Sequence, residues 1–225
     1  MSVVKILEHL GVTLDFPMAQ TCCGQPGFNA GYHDEARQVA RQFLRAFEHA
    51  QVIVVPSGSC GAMIRHEYLR LFENDATLHA QAEHIASITW ELTEFITDGL
   101  GISDLKARLP IQQSFAIHDA CHGLRVLGLK KQARTLLDNL QNAEVSDLKD
   151  CDACCGFGGL FSVKMADVSN AMLTRKIAEI EATSAQTIIT GDVSCMTQMN
   201  GGLSRQASGK RVRHIADVLA EGLEG

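Results

Sequence analysis

Eight of the 225 residues are cysteines, at positions 22, 23, 60, 121, 151, 154, 155 and 195, and their grouping is the first chemical signal in the chain. Two groups are Cys-Cys-Gly triplets, Cys22-Cys23-Gly24 and Cys154-Cys155-Gly156. Adjacent side chains diverge and enter one apolar pocket poorly, so core packing does not account for the pattern. Thiolates at such spacing hold a zinc ion, hold the irons of a polynuclear cluster, or exchange with disulfides. Structural zinc draws on pairs separated by about two to four residues, and Cys151 and Cys154 have that spacing. Adjacent cysteines converge poorly on one ion but can reach different irons. A redox dithiol explains the pairs and leaves Cys121 and Cys195 without a role.

The elements that must position these thiols follow from periodicity. Residues 2–10 read as an amphipathic helix stopped by Gly11, residues 12–16 as a short strand, and residues 21–27 as a loop. From His33 to about His49, Ala36, Val39, Ala40, Phe43, Leu44 and Phe47 recur on one helical face. Residues 51–56 are β-branched and suit a buried parallel strand, whose exit loop, 57–61, carries Cys60. Helices over about 62–72 and 79–87 and the Leu92/Ile96 segment complete this half. A strand over 115–118 then runs into Cys121, residues 130–141 are helical, 151–159 form a glycine-rich loop, and a long helix covers about 162–181. Residues 186–190 read as a strand, 191–195 as its exit loop, and 214–219 as a terminal helix.

The order repeats. Cys22-Cys23 falls on Cys154-Cys155 at an offset of 154 − 22 = 132, and with a three-residue insertion Cys60 falls on Cys195. Agreement in residue type, order and element predicts two copies of one α/β unit, residues 1–109 and 110–225. The expected fold is α/β: short, partly parallel sheets with flanking helices and cysteines in loops beyond strand ends. The opening strand and cysteine of the second copy have no counterpart in the first. That matches a naturally short form or a recorded start inside a longer coding sequence. It leaves a sheet position in the first unit empty or filled by a partner.

A formal charge of −6 argues against a nucleic-acid or anionic-membrane surface. Lys210, Arg211 and Arg213 read as a solvated turn. No run approaches the roughly 20 apolar residues of a membrane span, and the first ten residues lack a secretory signal. A cytoplasmic location is expected, where stable disulfides are not. Gly156-Phe157-Gly158-Gly159 follows cysteines instead of a strand and lacks a dinucleotide-binding register. Its glycines, with Gly123 and Gly191, suit backbone amides approaching sulfur, and the helix beginning near Ser162 can present its positive end to an anionic centre.

The stretches Cys22-Cys23-Gly24-Gln25-Pro26, Pro56-Ser57-Gly58-Ser59-Cys60, Cys154 to Gly159 followed by Phe161-Ser162-Val163-Lys164, and Gly191-Asp192-Val193-Ser194-Cys195 resemble the cysteine-rich CCG-domain family. Within it the likeness is to the lactate utilisation protein A group of iron–sulfur oxidoreductase subunits. More distantly, it is to the CCG-bearing subunit of heterodisulfide reductase and the iron–sulfur subunit of glycolate oxidase. The family pattern is a cysteine, then a Cys-Cys pair, then a cysteine or Cys-x-x-Cys. Cys121, Cys154, Cys155 and Cys195 match it fully; Cys22, Cys23 and Cys60 match its last three positions. Met63 and Gln198 stand where the longer pattern has a final cysteine, so a four-thiolate 4Fe–4S cluster in the second half is the simpler implication. The first half then holds an incomplete cluster, takes a ligand from a partner, or holds none. The resemblance implies an electron-transfer subunit of an enzyme oxidising L-lactate to pyruvate. Its companions would include another iron–sulfur subunit and provide any peripheral membrane association. A heterodisulfide-type thiol–disulfide reductase subunit and a zinc-stabilised assembly module are the alternatives.

Around this set, Cys151 is either a fifth ligand or a free neighbour and is not assigned. His33, His49 and His66 read as helix-surface residues. His118, Asp119 and His122 flank Cys121 and serve either the centre, as proton donors or hydrogen bonders, or the loop, by satisfying its backbone amides.

Overall fold

A computed structural model describes residues 1–224. Helix α1 (Ser2–His9) buries Ile6 and Leu7. The short α2 (Gln25–Asn29) follows the first cysteine pair, and α3 (His33–Ala46) buries Ala36, Ala40, Phe43 and Leu44 on one face. Asp34 and Glu35 in its first turn and Arg45 in its last complement the helix dipole. Strand β1 (Ile53–Val55) leads into α4 (Gly58–Ala62), which runs through a π-helical turn, Met63–Glu67, into α5 (Tyr68–Leu71). Helix α6 (Ala76–Ile88) returns the chain to β2 (Thr89–Glu91), which pairs parallel with β1. Helix α7 (Leu92–Glu94) continues as a second π-helical turn, Phe95–Gly99.

The second half opens with β3 (Arg108–Ile117), followed by α8 (Cys121–Arg125), α9 (Lys131–Asp138) and β4 (Gln141–Asp147). Then come α10 (Phe161–Lys164), α11 (Ala166–Ala182), β5 (Thr187–Thr190), α12 (Val193–Arg205), β6 (Arg211–His214) and α13 (Ile215–Gly222). All pairings are parallel and the order is β4-β3-β5-β6. Parallel neighbours require helical crossovers, which α9, α11 and α12 help supply. Strand order reverses between β3 and β5, and in open parallel sheets ligands sit beyond the strand ends at that switch point. Cys121 opens α8 after β3 and Cys195 lies in the first turn of α12 after β5.

Elements α3, β1, α4, β2 and α7 follow the cysteine pair of the first half in the order in which α11, β5, α12, β6 and α13 follow that of the second. Residues 12–16, read above as a strand and standing where the second copy has β4, form none. An extended run gains ladder hydrogen bonds only beside a neighbour. The neighbour of β4 is β3, and the first half has no equivalent among the described residues. Residues 57–61 and 191–195 are not simply loops, since both turn into helix two residues before the cysteine.

The main apolar cluster crosses the halves: Ile6 and Leu7 pack with Leu92, Phe95, Ile96, Leu109, Phe115, Ile215 and Leu219. Beside it Glu91 caps α7, its carboxylate accepting from Thr93 N–H at 2.7 Å and Thr93 Oγ1 at 2.6 Å. Burial holds its pKa up to about 7, from an ordinary 4.5, against those hydrogen bonds. Between these values the folded protein binds a proton that the unfolded chain has released, so stability falls as pH rises from about 4.5 to 7. Glu91→Gln, which keeps the accepting oxygen, is expected to abolish that fall and to be more stable than the parent at pH 8 by about 3 kcal/mol. Urea unfolding at pH 5 and pH 8 reads it out; parallel pH profiles of the two proteins would contradict it.

Candidate metal centre

The two cysteine pairs have one geometry. Gly24 and Gly156 have φ of 85° and 86°, a conformation that costs glycine little and other residues much. The turn swings each glycine N–H back onto the first cysteine of its pair, Gly24 N to Cys22 Sγ at 3.5 Å and Gly156 N to Cys154 Sγ at 3.3 Å. A side chain at Gly156 would also strike the Ser169 carbonyl at 2.6 Å. The second cysteine of each pair points inward to the cysteine in the first turn of α4 or α12: Cys23 Sγ lies 3.3 Å from Cys60 Sγ, and Cys155 Sγ 3.2 Å from Cys195 Sγ. Tyr68, fully buried, steadies the first loop by donating to Cys23 O at 3.0 Å.

These contacts polarise the thiols. Cys60 is drawn below the ordinary thiol range, first because Cys23 hydrogen-bonds to it, against burial; Cys23 is pushed far above that range by the same contact and by burial. In the second half, Cys154 is lowered strongly by the neighbouring Cys121 and Cys155 thiols, and Cys195 is lowered through its contact with Cys155 and, against burial, by nearby His118. Cys121 and Cys155 rise correspondingly. Thiolate character therefore sits on Cys154 and Cys195, beside N–H groups of the Gly156 turn and the start of α12.

Cys121, Cys154, Cys155 and Cys195 line one cavity, with Gly158, Gly159 and Ser194. Four thiols from three segments, flanked by glycine and backbone N–H donors, fit the donor set of a thiolate-ligated polynuclear centre. Cys151 stands apart, its thiol raised by burial and by the neighbouring Asp119. Cys22, Cys23 and Cys60 form a three-thiol set, with Cys22 exposed. Among the described residues the eight cysteines are unbridged. Oxidising metal-free protein with diamide is expected to join Cys23 to Cys60 and Cys155 to Cys195, read by non-reducing peptide mapping. A majority of vicinal Cys22–Cys23 and Cys154–Cys155 bridges would contradict the inward geometry.

The halves meet at the two sites. Ser57 and Asp192, at corresponding positions, cap α4 and α12, and Ser57 Oγ donates to Asp192 Oδ2 at 3.0 Å. Asp192 Oδ2 also accepts from Ser59 N at 3.0 Å, so one buried carboxylate ties the Cys60 turn to the Cys195 turn. Helices α4 and α8 touch through Gly58 and Gly123: a Cβ on Gly58 would lie 2.7 Å from Gly123 Cα and 2.8 Å from its N. Gly58→Ala is expected to cost about 1–3 kcal/mol in urea unfolding; no measurable change would show that the helices separate freely. Sequence reasoning misses the Ser57–Asp192 pair, although Ser and Asp three residues before a cysteine-bearing turn are a capping signal.

The three polar residues around Cys121 separate. Asp119 is gripped by Arg134 through bonds of 3.0 and 2.9 Å, Arg134 also binding Asp147, which makes Asp119 structural. His122 Nδ1 lies 3.6 Å from Cys121 Sγ. His118 is buried, and one ring nitrogen and the sulfurs of Cys155 and Cys195 all lie within 4.8 Å of one another.

With this geometry in view, the CCG cysteine-rich domain model matches residues 1–65 and 115–200, segments that contain all eight cysteines. The chain belongs to the CCG cysteine-rich domain family. Members similar to it include lactate utilization protein A 1 of Bacillus anthracis, 44% identical over 222 residues that cover 99% of this chain and 91% of that protein. Lactate utilization protein A 2 of Bacillus cereus is 43% identical with the same coverage. The Anoxybacillus flavithermus lactate utilization protein A is 44% identical over 218 residues, 97% of this chain and 90% of that protein. In this CCG protein no helix among the described residues is long and apolar enough to cross a membrane.

Proposed function

We propose that this CCG protein is an iron–sulfur electron-transfer subunit of a multi-protein system that oxidises L-lactate to pyruvate in the cytoplasm. Its 4Fe–4S cluster is held by Cys121, Cys154, Cys155 and Cys195. The observation that carries the reading is the convergence of these four thiols at the switch point of the β4-β3-β5-β6 sheet. The lactate utilization names of relatives at 44% identity support the substrate. Bound there, the cluster would supply one-electron transfer; lactate oxidation releases two electrons and two protons, so a companion must collect the pair.

The chain's own residues do the rest. Cys154 and Cys195 present thiolates, the Gly156 N–H stabilises sulfur, and Asp192 keeps the two cysteine turns together. Residues 1–109 and 110–225 act as two repeats. Cys22, Cys23 and Cys60 hold a second, incomplete cluster whose remaining position takes a donor from a companion subunit. Companions, one of them also an iron–sulfur protein, provide any membrane association.

The 3.2 and 3.3 Å sulfur contacts favour one second reading, thiol–disulfide exchange of the heterodisulfide type. The test adds L-lactate to anaerobic protein with its companions while the visible and electron paramagnetic resonance spectra are followed. Reduction by lactate that requires the companions supports the proposal. A response only to a disulfide substrate would favour exchange, and a colourless protein with stoichiometric zinc would make the chain an assembly module.

A further inference from the structure

His118 carries more than the proposed function uses. It extends β3 at the switch point, its N–H donating to Ile189 O of β5 at 2.9 Å, so its backbone is fixed by the sheet. Only 2% of the residue is exposed, yet neither ring nitrogen has a hydrogen-bond partner among the described residues. Buried polar atoms are nearly always paired, so two orphans on one ring call for an explanation. Its neighbours do not share this state, because Asp119 is taken by Arg134 and His122 lies beside Cys121.

One ring nitrogen belongs to the cluster formed with Cys155 Sγ and Cys195 Sγ, all within 4.8 Å. The ring also borders a small cavity of about 50 Å³. That cavity is lined by Glu91, Thr190 and Gly191, and Thr190 Oγ1 is a further buried atom without a partner. A water needs roughly 10–15 Å³ of such space and two to four polar partners, so the cavity has room for water among polar atoms that lack bonds.

We propose that His118 is a positioning residue of the second centre: one ring N–H hydrogen-bonds to the Cys195 thiolate and raises the centre's reduction potential. The other nitrogen is held by water in the cavity shared with Glu91 and Thr190. The proposal rests on the reading of Cys195 as a cluster ligand. Cys121, Cys154, Cys155 and Cys195 already supply four ligands, which leaves the imidazole to act through sulfur. A donor to a thiolate ligand stabilises the more negative, reduced form, so the bond raises the potential.

The test purifies the full chain anaerobically, confirms iron and acid-labile sulfide, and titrates the cluster potential in His118→Ala, His118→Asn and His118→Gln. Loss of the imidazole in His118→Ala is expected to shift the reduction equilibrium about tenfold toward the oxidised form, 59 mV for one electron. Asn and Gln place an amide donor near the positions of Nδ1 and Nε2, and one of them is expected to recover most of the shift. Labelling histidine with ¹⁵N is expected to show weak hyperfine coupling that His118→Ala loses. Iron and sulfide present with an unchanged potential in all three variants would overturn the role of His118 and leave the cluster reading standing. Strong coupling from directly bound nitrogen would overturn it in favour of ligation. Absence of iron and sulfide from the parent protein would remove both. Should His118→Ala not assemble a cluster, the Asn and Gln variants decide: parental potential in one and a lowered potential in the other supports the hydrogen bond, and lowered or unchanged potentials in both overturn it.

Discussion

Replacing Cys154 by alanine is expected to strip the second centre of iron and labile sulfide and to lower lactate-dependent electron transfer by more than about 100-fold, since loss of an outer-shell partner alone costs 10–100-fold. The large effect follows from its position. Cys154 Sγ accepts from the Gly156 N–H, and the neighbouring Cys121 and Cys155 thiols with that N–H hold its pKa well below the ordinary thiol range despite partial burial. Cys151→Ser is expected to leave iron content near the parental value, since its thiol faces Asp119. Cys22→Ala is expected to leave the second-half paramagnetic signal in place, since Cys22 lies with Cys23 and Cys60 in the other set. Iron and sulfide analysis with electron paramagnetic resonance of the three variants checks this. A parental signal in Cys154→Ala would remove the residue from the centre.

Lys176→Ala should have the largest effect on stability. The Lys176 side chain is 1% exposed, and its Nζ donates to Asp150 O at 2.7 Å and to Glu179 Oε2 at 2.6 Å. The other oxygen of Glu179 accepts from Asp150 N–H. Helix α11 thereby grips both backbone groups of Asp150, the residue that begins the loop carrying Cys151, Cys154 and Cys155. Truncation leaves the largely buried Glu179 carboxylate without its cation, a loss of about 3–5 kcal/mol. For a chain of this size that corresponds to a fall in melting temperature on the order of 10 °C. The freed loop is also expected to lose cluster faster under a chelator, although no thiol has been removed. A change below about 1 kcal/mol with parental chelation kinetics would show that the loop is held by its turns alone.

How much of this is legible in sequence depends on whether a residue's partner lies nearby in the chain. The repeat is legible because Cys-Cys-Gly and the following helix and strand recur as local patterns, and α3 and β5 carry strong apolar signals. Strand β4 escapes because it is an edge strand whose solvent-facing Gln141, Glu144, Ser146 and Asp147 give no apolar run, and Gln141, read above as the end of a helix, is its first residue. Residues 12–16 have a strand's pattern without the neighbour that makes one, a tertiary condition that periodicity does not encode. Helix α12 is hidden by Gly201 and Gly202, poor helix formers; at Gly202 a Cβ would lie 2.9 Å from Ile177. The thiol sets can be grouped from local spacing, but the orphaned imidazole of His118 and the salt link of Lys176 depend on contacts across 77 and 26 or fewer positions.

The most direct measurement is the iron, acid-labile sulfide and zinc content of the chain purified without oxygen, read together with electron paramagnetic resonance of the reduced protein. Iron and sulfide in equal amounts, little zinc, and a second-half signal that vanishes in Cys154→Ala and Cys195→Ala are predicted. Stoichiometric zinc with no labile sulfide would contradict the account.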